Sequence, residues 1–449
     1  MQKRWIILFV ALLSISFLGL FYSGHEGVFT DIDSNLNFAD IAWMITATIF
    51  VLMMTPGLSF FYGGMVRSKN VISTILQSFI AMGVISVIWV VVGFSLAFGE
   101  DVGHFIGNPG TFFMFVNVGG ATDKLLAPTI PLALYALFQM KFAIITPSLI
   151  TGSFAERVRF SGYLVFMILF CIFVYCPLAH WTWHPDGFLR QMGVLDFAGG
   201  IVVHASSGVA ALAGAIFLGR RKESGQPANI PFVLLGAAML WLGWFGFNAG
   251  SSLAANSIAV KAFLNTNTAS ATAMMTWVVF DCLRGRKPSA MGAAIGAVVG
   301  LVAITPSAGY VTVGESIFIA LVVTVICNMA VSWKNKKNSF DDALDVFPTH
   351  GVGGIVGTIM TGIFVYNATE NITYWQNLLN HIIAVVIVCG YTFIVTYALY
   401  WITDKMIPMR VSEKSEKIGL DMSQHDERYG IETNRELAEY FDHGVDTKS

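Results

Sequence analysis

Long apolar runs separated by short polar gaps set the pattern of this chain. Runs of about 20 residues, each long enough to cross ~30 Å of hydrocarbon as a helix, occupy 40–62, 71–98, 130–154, 161–180, 196–219, 230–254, 262–283, 289–305, 315–333, 346–365 and 378–404. These eleven segments predict an all-α polytopic membrane protein. Ahead of them, Lys3 and Arg4 precede a 17-residue apolar run from Ile6 to Tyr22. That run reads as a signal peptide or as a retained first helix. Residues 1–24 are therefore set apart from a membrane domain over 38–407, and a polar tail follows over 408–449.

Composition supports this reading. The 449 residues are 55% hydrophobic and 12% charged, where a soluble chain carries about a quarter charged residues. Mean hydropathy is +0.67. The net charge of −2 says little by itself, but the placement of charge is informative. Thirteen lysines and arginines fall in alternate gaps: Arg67/Lys69, Arg157/Arg159, Arg220/Arg221/Lys222, Arg284/Arg286/Lys287 and Lys334/Lys336/Lys337. The intervening gaps hold only Lys124, Arg190 and Lys261. Positive loops face the cytoplasm, which places the start of the membrane domain outside and the tail inside. The five cysteines lie in apolar runs without metal-ligand or disulfide spacing and read as small buried hydrophobes.

Two segments share a pattern: Leu195–Gly208, LDFAGGIVVHASSG, and Leu344–Gly354, LDVFPTHGVGG. Each opens on Leu-Asp and delivers one histidine, His204 or His350, into glycines and β-branched residues. An ionisable group inside a membrane span marks a substrate path or proton relay by default. Histidines in the fifth and tenth spans imply two inverted five-helix repeats plus a last helix, because an odd number of spans inverts the second copy. For a single intramembrane histidine, a hydrogen bond to a backbone carbonyl is an equally good account. Two in echoed settings favour a narrow polar rail through an apolar pore over haem ligation.

Other groups are weighed against packing. Trp244, Phe247, Asn248 and Ser251 share one helical face. Together with Trp183 of the AHWTWHPDG loop, that face offers an aromatic cage for a small cation, worth ~2 kcal/mol. Ordinary packing is the alternative. Lys141 sits about half-way into its span and reads as a snorkelling or paired lysine. Glu156 reads as a cap or ion pair at the boundary. The stripe Gly292, Gly296, Gly300 and the pair Gly353/Gly357 read as close helix packing. Pro56 and Pro147 predict local kinks. The Thr312–Gly314 TVG occurs once and is no potassium filter.

In order along the chain, TPGLSFFYGGMVRSKN, SFAERVRFSG, LDFAGGIVVH, GWFGFNAGS, AITPSAGYV and DVFPTHGVGGIVGT closely resemble the ammonium transporter (Amt/Mep/Rhesus) family, its bacterial-type Amt branch, over about residues 40–430. The resemblance implies an eleven-span homotrimer in the cell membrane with one pore per subunit. It implies that Trp183 and Ser251 recruit ammonium at an outer site, that Phe142 and Phe247 form a gate beneath it, and that His204 and His350 are the twin histidines of the pore. Asp196 matches an aspartate near the entrance. The tail segment GLDMSQHDERYG resembles a regulatory tail docked in relatives by a PII-type protein, with Asp426 where glycine is usual. Lys141, beside Phe142, departs from the small or neutral residue expected. No cofactor, metal or nucleic acid is implied. The rival readings are a cation-coupled secondary transporter and an ammonium sensor signalling through the tail. No nucleophile–base constellation points to an enzyme.

Overall fold

The computed structural model describes residues 2–22, 33–337, 340–365 and 372–430. The expected boundary at residue 24 and the tail beyond residue 430 lie outside them. Helix α1 (Gln2–Tyr22) precedes α2 (Phe38–Met65), α3 (Ser68–Phe98) and α4 (Leu132–Ile150). In α5, Phe160–Phe170 and Cys176–Trp183 are joined by a π turn at Cys171–Tyr175. In α6 a π turn at Gly200–Ala205 leads into Ser206–Leu218. Then come α7 (Ile230–Gly250), α8 (Ser257–Leu283), α9 (Ala290–Ile304) and α10 (Val313–Lys337). In α11 a π turn at Phe347–Gly351 leads into Val352–Phe364. The long α12 (Tyr374–Met406) and the short α13 (Glu413–Ile418) complete the order. One small antiparallel hairpin, β1 (Asp101–Val102) with β2 (Ile106–Gly107), follows α3.

Nine helices among the described residues, α1–α7, α10 and α12, are long and apolar enough to cross a membrane. Helix α9 is apolar but only 15 residues long. The starts are written locally. Asn37, Asn229, Asn256 and Ser289 each accept a backbone N–H of the first turn of α2, α7, α8 and α9, and Thr373 with Gln376 closes a capping box on α12. Pro56 and Pro147 lie within α2 and α4, and both helices run on through them.

Glycine sets the packing. The Gly292, Gly296, Gly300 stripe lies against Trp277, Ala273 and Ala269 of α8, where a Cβ would meet side chain or backbone at once. Without a solvent to drive helices together, such close approach is how they gain dispersion contact in lipid. Outward faces remain apolar: Ile7, Leu20, Val260 and Ile394 are all about two-thirds exposed or more, at 67%, 70%, 70% and 71%. One expectation fails here. Cys282 is exposed and Cys389 half-buried, while Cys171, Cys176 and Cys327 are buried. Apolar patterning does not say which side of a membrane helix faces its neighbours.

The positive gaps gather at one end. Glu156, 1% exposed, accepts Arg67 Nε at 3.1 Å and Arg221 Nη1 at 3.1 Å. Arg221 Nε also donates to Asp341 at 2.8 Å. Glu156 is thus the ion-pair residue its position predicted. The tail closes over this end. Asp421 accepts the N–H groups of Ile72 at 3.0 Å and Ser73 at 2.8 Å at the start of α3, and Gln424 donates to the Val158 carbonyl at 3.2 Å.

Candidate functional site: a ring stack ending on paired histidines

Five rings stand in succession through the molecule. Trp183, partly buried, meets Phe142 edge-on at 5.8 Å between centroids. Phe142 stacks on Phe247 at 4.2 Å, Phe247 tilts over His204 at 5.8 Å, and His204 faces His350 at 5.4 Å. The structure therefore brings Trp183, Phe142, Phe247, His204 and His350 together from α5, α4, α7, α6 and α11. Ser251 lies one turn beyond Phe247 and donates its hydroxyl to the Phe247 carbonyl at 2.8 Å, on the Trp183 side of the stack. Trp244 departs from the outer face expected of it. Its ring stacks on His204 at 5.2 Å, and its Nε1 donates to Thr305 Oγ1 at 2.9 Å.

Both histidines are buried, at 1% and 3% exposure, and their Nδ1 atoms lie 3.3 Å apart. That contact admits one arrangement of protons for two neutral imidazoles. One Nδ1–H donates and the other accepts, so one Nε2 is left with a lone pair and the other carries the remaining proton. The Nε2 of His204 has no hydrogen-bond partner among the described residues. A buried polar atom without a partner costs ~1–3 kcal/mol, and here it borders a cavity lined by Ile145, Leu149, Leu240, Trp244 and Val298. A small molecule with both a lone pair and N–H groups fits such a row.

Local structure explains how the histidines reach the cavity. Each sits in a π turn, the widened helical geometry that often marks functional positions. Asp196, 5% exposed, accepts four N–H groups of its turn, from Gly199, Gly200, Ile201 and Val202, at 2.8, 2.6, 2.8 and 3.2 Å. Its carboxylate is thereby spent on capping α6, and Trp183 Nε1 donates to its backbone carbonyl at 2.9 Å.

The counterpart of Asp196 is not Asp345, as the shared Leu-Asp suggests. By spacing it is Asp342 that matches, preceding His350 by the same eight positions that separate Asp196 from His204. Asp342 accepts the Phe347 N–H at 2.7 Å at the start of the second π turn. Asp345 is instead paired with Lys334 at 2.5 Å. The spacing to the histidine, rather than the Leu-Asp dipeptide, was the usable signal.

Two glycines complete the correspondence. Gly208 and Gly354 each lie four residues after their histidine. A Cβ on Gly208 would overlap the backbone of Gly351, and one on Gly354 would meet the Ala205 nitrogen at 2.7 Å. Each glycine thus packs against the residue that follows the other histidine. Lys141 is buried beside Phe142, and its Nζ lies 3.7 Å from Met140 Sδ.

A helical, multi-pass membrane bundle with an apolar cavity and an internal pair of imidazoles defines a transport protein rather than a soluble one. Comparison gives the family. The sequence profile of the Ammonium Transporter Family matches residues 42–429, and the chain belongs to that family. It is 45% identical over 402 residues to a putative ammonium transporter of Methanothermobacter thermautotrophicus, covering 87% of this chain and 98% of that protein. It is 42% identical to the ammonium transporter of Aquifex aeolicus, covering 92% and 99%. Among solved structures, Candida albicans Mep2 superposes with a TM-score of 0.81 at 34% identity, covering 93% of this chain and 94% of that one. A protein described as a sensor Amt protein superposes with a TM-score of 0.80 at 29% identity, covering 86% and 98%.

Proposed function

We propose that the chain conducts ammonium nitrogen across a membrane along the ring stack. The observation that carries this is the His204–His350 contact at 3.3 Å, with a His204 Nε2 that has no partner among the described residues and both rings lining an apolar cavity. Trp183 and Ser251 recruit the cation, Phe142 and Phe247 close the way beneath it, and neutral ammonia passes along the two imidazoles. Holding a charge at mid-bilayer costs ~3 kcal/mol on insertion scales. With the cation's pKa taken as about 9, removing its proton at neutral pH costs roughly 3 kcal/mol. The two costs are similar, but only ammonia crosses an apolar cavity without a full shell of ligands. The imidazole row offers it one donor and one acceptor.

The architecture we infer around this path is eleven spans in two inverted repeats plus α12. The matched aspartate, histidine and glycine spacings on α6 and α11 support it. In this reading the positive gaps and the tail lie at the cytoplasmic end, with Trp183 on the outer side of a cell membrane. Assembly as a homotrimer, and docking of a PII-type protein on the tail, belong to the same reading. A sensing role is the second reading, favoured by the likeness to the sensor Amt protein and by the tail's contacts with the gaps.

Flux of methylammonium into liposomes, with current recorded simultaneously, tests the proposal. Alanine at both His204 and His350 is expected to abolish uptake or change its cation selectivity; unchanged uptake and selectivity would refute the row. Replacing Trp183 by leucine is expected to weaken competition by external ammonium roughly tenfold or more, as loss of ~2 kcal/mol of cation–π attraction implies. Equal competition would make the ring mere packing.

A further inference from the structure

A histidine outside the ring stack is held between two partners of fixed polarity. His381, two turns into α12, is 0% exposed. Its Nδ1 lies 2.7 Å from the Asn377 carbonyl and its Nε2 lies 3.1 Å from the backbone nitrogen of Leu195. A carbonyl can only accept and a backbone N–H can only donate. One arrangement therefore serves both contacts: a neutral ring with its proton on Nδ1 and its lone pair at Nε2. An ionisable side chain within a membrane helix marks function by default, and this one uses both nitrogens on backbone.

The neighbours of His381 extend the contact in two directions. On one side, a Cβ on Gly362 near the end of α11 would meet the His381 side chain at 3.0 Å, and Asn377 Nδ2 donates to the Gly362 carbonyl at 2.8 Å. On the other side, Asn380 Nδ2 donates to the Met192 carbonyl at 2.6 Å. Met192 and Leu195 belong to the segment that leads into α6, so α12 holds that segment at two points. Beyond them the Phe197 N–H donates to the Pro306 carbonyl at 3.0 Å, and the Asp196 carboxylate accepts the four N–H groups that start α6.

Trp183 rests on this same segment. Its Nε1 donates to the carbonyl of Asp196, the residue after Leu195, at 2.9 Å. Its ring also packs over Gly199, which has a φ of +119° and where a Cβ would stand 3.5 Å from Trp183 Cζ2. We infer that His381 is a positioning residue: as acceptor of the Leu195 N–H it fixes the 192–199 segment, and with it the seat of the Trp183 indole. Cation capture then depends on a helix that contributes no ring to the stack. An apolar side chain in place of His381 would fill the space but leave the buried Leu195 N–H without its acceptor, a cost the segment relieves by shifting.

The inference rests on the capture role proposed for Trp183, and its test separates the two. KM and maximal rate for methylammonium uptake into liposomes are measured for the unmodified protein and its variants. His381→Leu removes the acceptor and is expected to raise KM roughly three- to tenfold, the scale of one neutral hydrogen bond, with maximal rate nearly constant. His381→Gln, whose side-chain oxygen can accept the same N–H, is expected to restore the KM of the unmodified protein. In a Trp183→Leu background, His381→Leu is expected to change KM little further, because two residues acting through one contact are not additive. A change that merely loosened the fold would lower the maximal rate and take no account of Trp183. Should His381→Leu fail to fold, Asn380→Ala frees the Met192 carbonyl at the partly exposed edge of the same segment, and KM is expected to rise by about two- to threefold.

Hydrogen exchange of a peptide spanning 192–199 in reconstituted protein supplies a readout independent of transport. This peptide is expected to exchange faster in His381→Leu than in the unmodified protein, and at the unmodified rate in His381→Gln. If Trp183→Leu alone leaves KM unchanged while that exchange difference stands, the capture reading falls and the positioning contact remains. A folded His381→Leu protein with unchanged KM, a glutamine variant no better than the leucine variant, or effects of His381→Leu and Trp183→Leu that simply add, overturns the inference.

Discussion

Asp196 and Asp342 show how much one carboxylate can hold in place. Each anchors a π turn that presents a histidine, but Asp196 accepts four N–H groups at 2.6–3.2 Å while Asp342 also has Lys334 close by, which donates to its carbonyl at 2.6 Å. Replacing Asp196 by asparagine keeps the shape, yet turns one acceptor into a donor facing N–H groups. With buried hydrogen bonds to a charge worth about 1.5–3 kcal/mol, Asp196→Asn is expected to cost roughly 3 kcal/mol. It would lower the unfolding midpoint in detergent by several degrees and abolish transport. Retention of both would mean that the carboxylate acts only as a distant charge. The ring pair beside it was partly legible: the two histidines stand out in apolar sequence, but the 3.3 Å Nδ1 contact, which forces them to share a proton, does not.

At the scale of elements, the crossing of α6 and α11 is the tightest joint. Gly208 touches the backbone of Gly351, and Gly354 touches that of Gly200 and Ala205. Neither neighbour is a flexible side chain that can move aside. Gly354→Ala is therefore expected to destabilise by roughly 1–3 kcal/mol through overpacking and to lengthen the imidazole contact. Reduced midpoint and slowed uptake together would show it, whereas alanine at exposed Gly314, which has open space around it, serves as the control expected to leave both unchanged. The glycine stripes were readable as packing motifs, and α9 uses its stripe in that way against α8. Which helix each stripe would meet was not readable, because a helix face carries no label for its partner.

Across the whole molecule, charge divides the two ends. The end bearing Arg67, Glu156, Arg221 and Asp341 is tied by ion pairs, and Asp341, pulled down by Arg221 and Arg157 against the effect of burial, has its pKa lowered to about 2. The tail depends on Asp421 in the opposite sense. Burial outweighs its backbone donors at the start of α3 and raises its pKa to about 6. A carboxyl whose pKa is raised on docking favours the docked tail most below its free value near 3.8 and loses that contribution as pH climbs through about 6. Proteolysis within 408–430 is therefore expected to be slower near pH 5 than near pH 7.5, and Asp421→Asn is expected to remove the difference. An unchanged difference in that variant would place the titration at a group other than Asp421, and not at His425, whose pKa burial lowers so that it favours the docked tail as pH rises.

Taken alone, the sequence determined the class of protein, the approximate helices, the residues gathered at each end and the two intramembrane histidines, while Phe142 entered only through the family resemblance. Hydropathy, charge alternation and capping are local or additive properties, and they survive without knowledge of neighbours. The tertiary structure decided which aspartate matches Asp196, that Trp244 lies over His204 rather than at the mouth, and that His381 accepts the N–H of Leu195. Hydrogen bonding is directional and its partners come from other helices. Its outcome is fixed by how each helix is rotated and how closely glycine lets it approach, and no stretch of sequence records that.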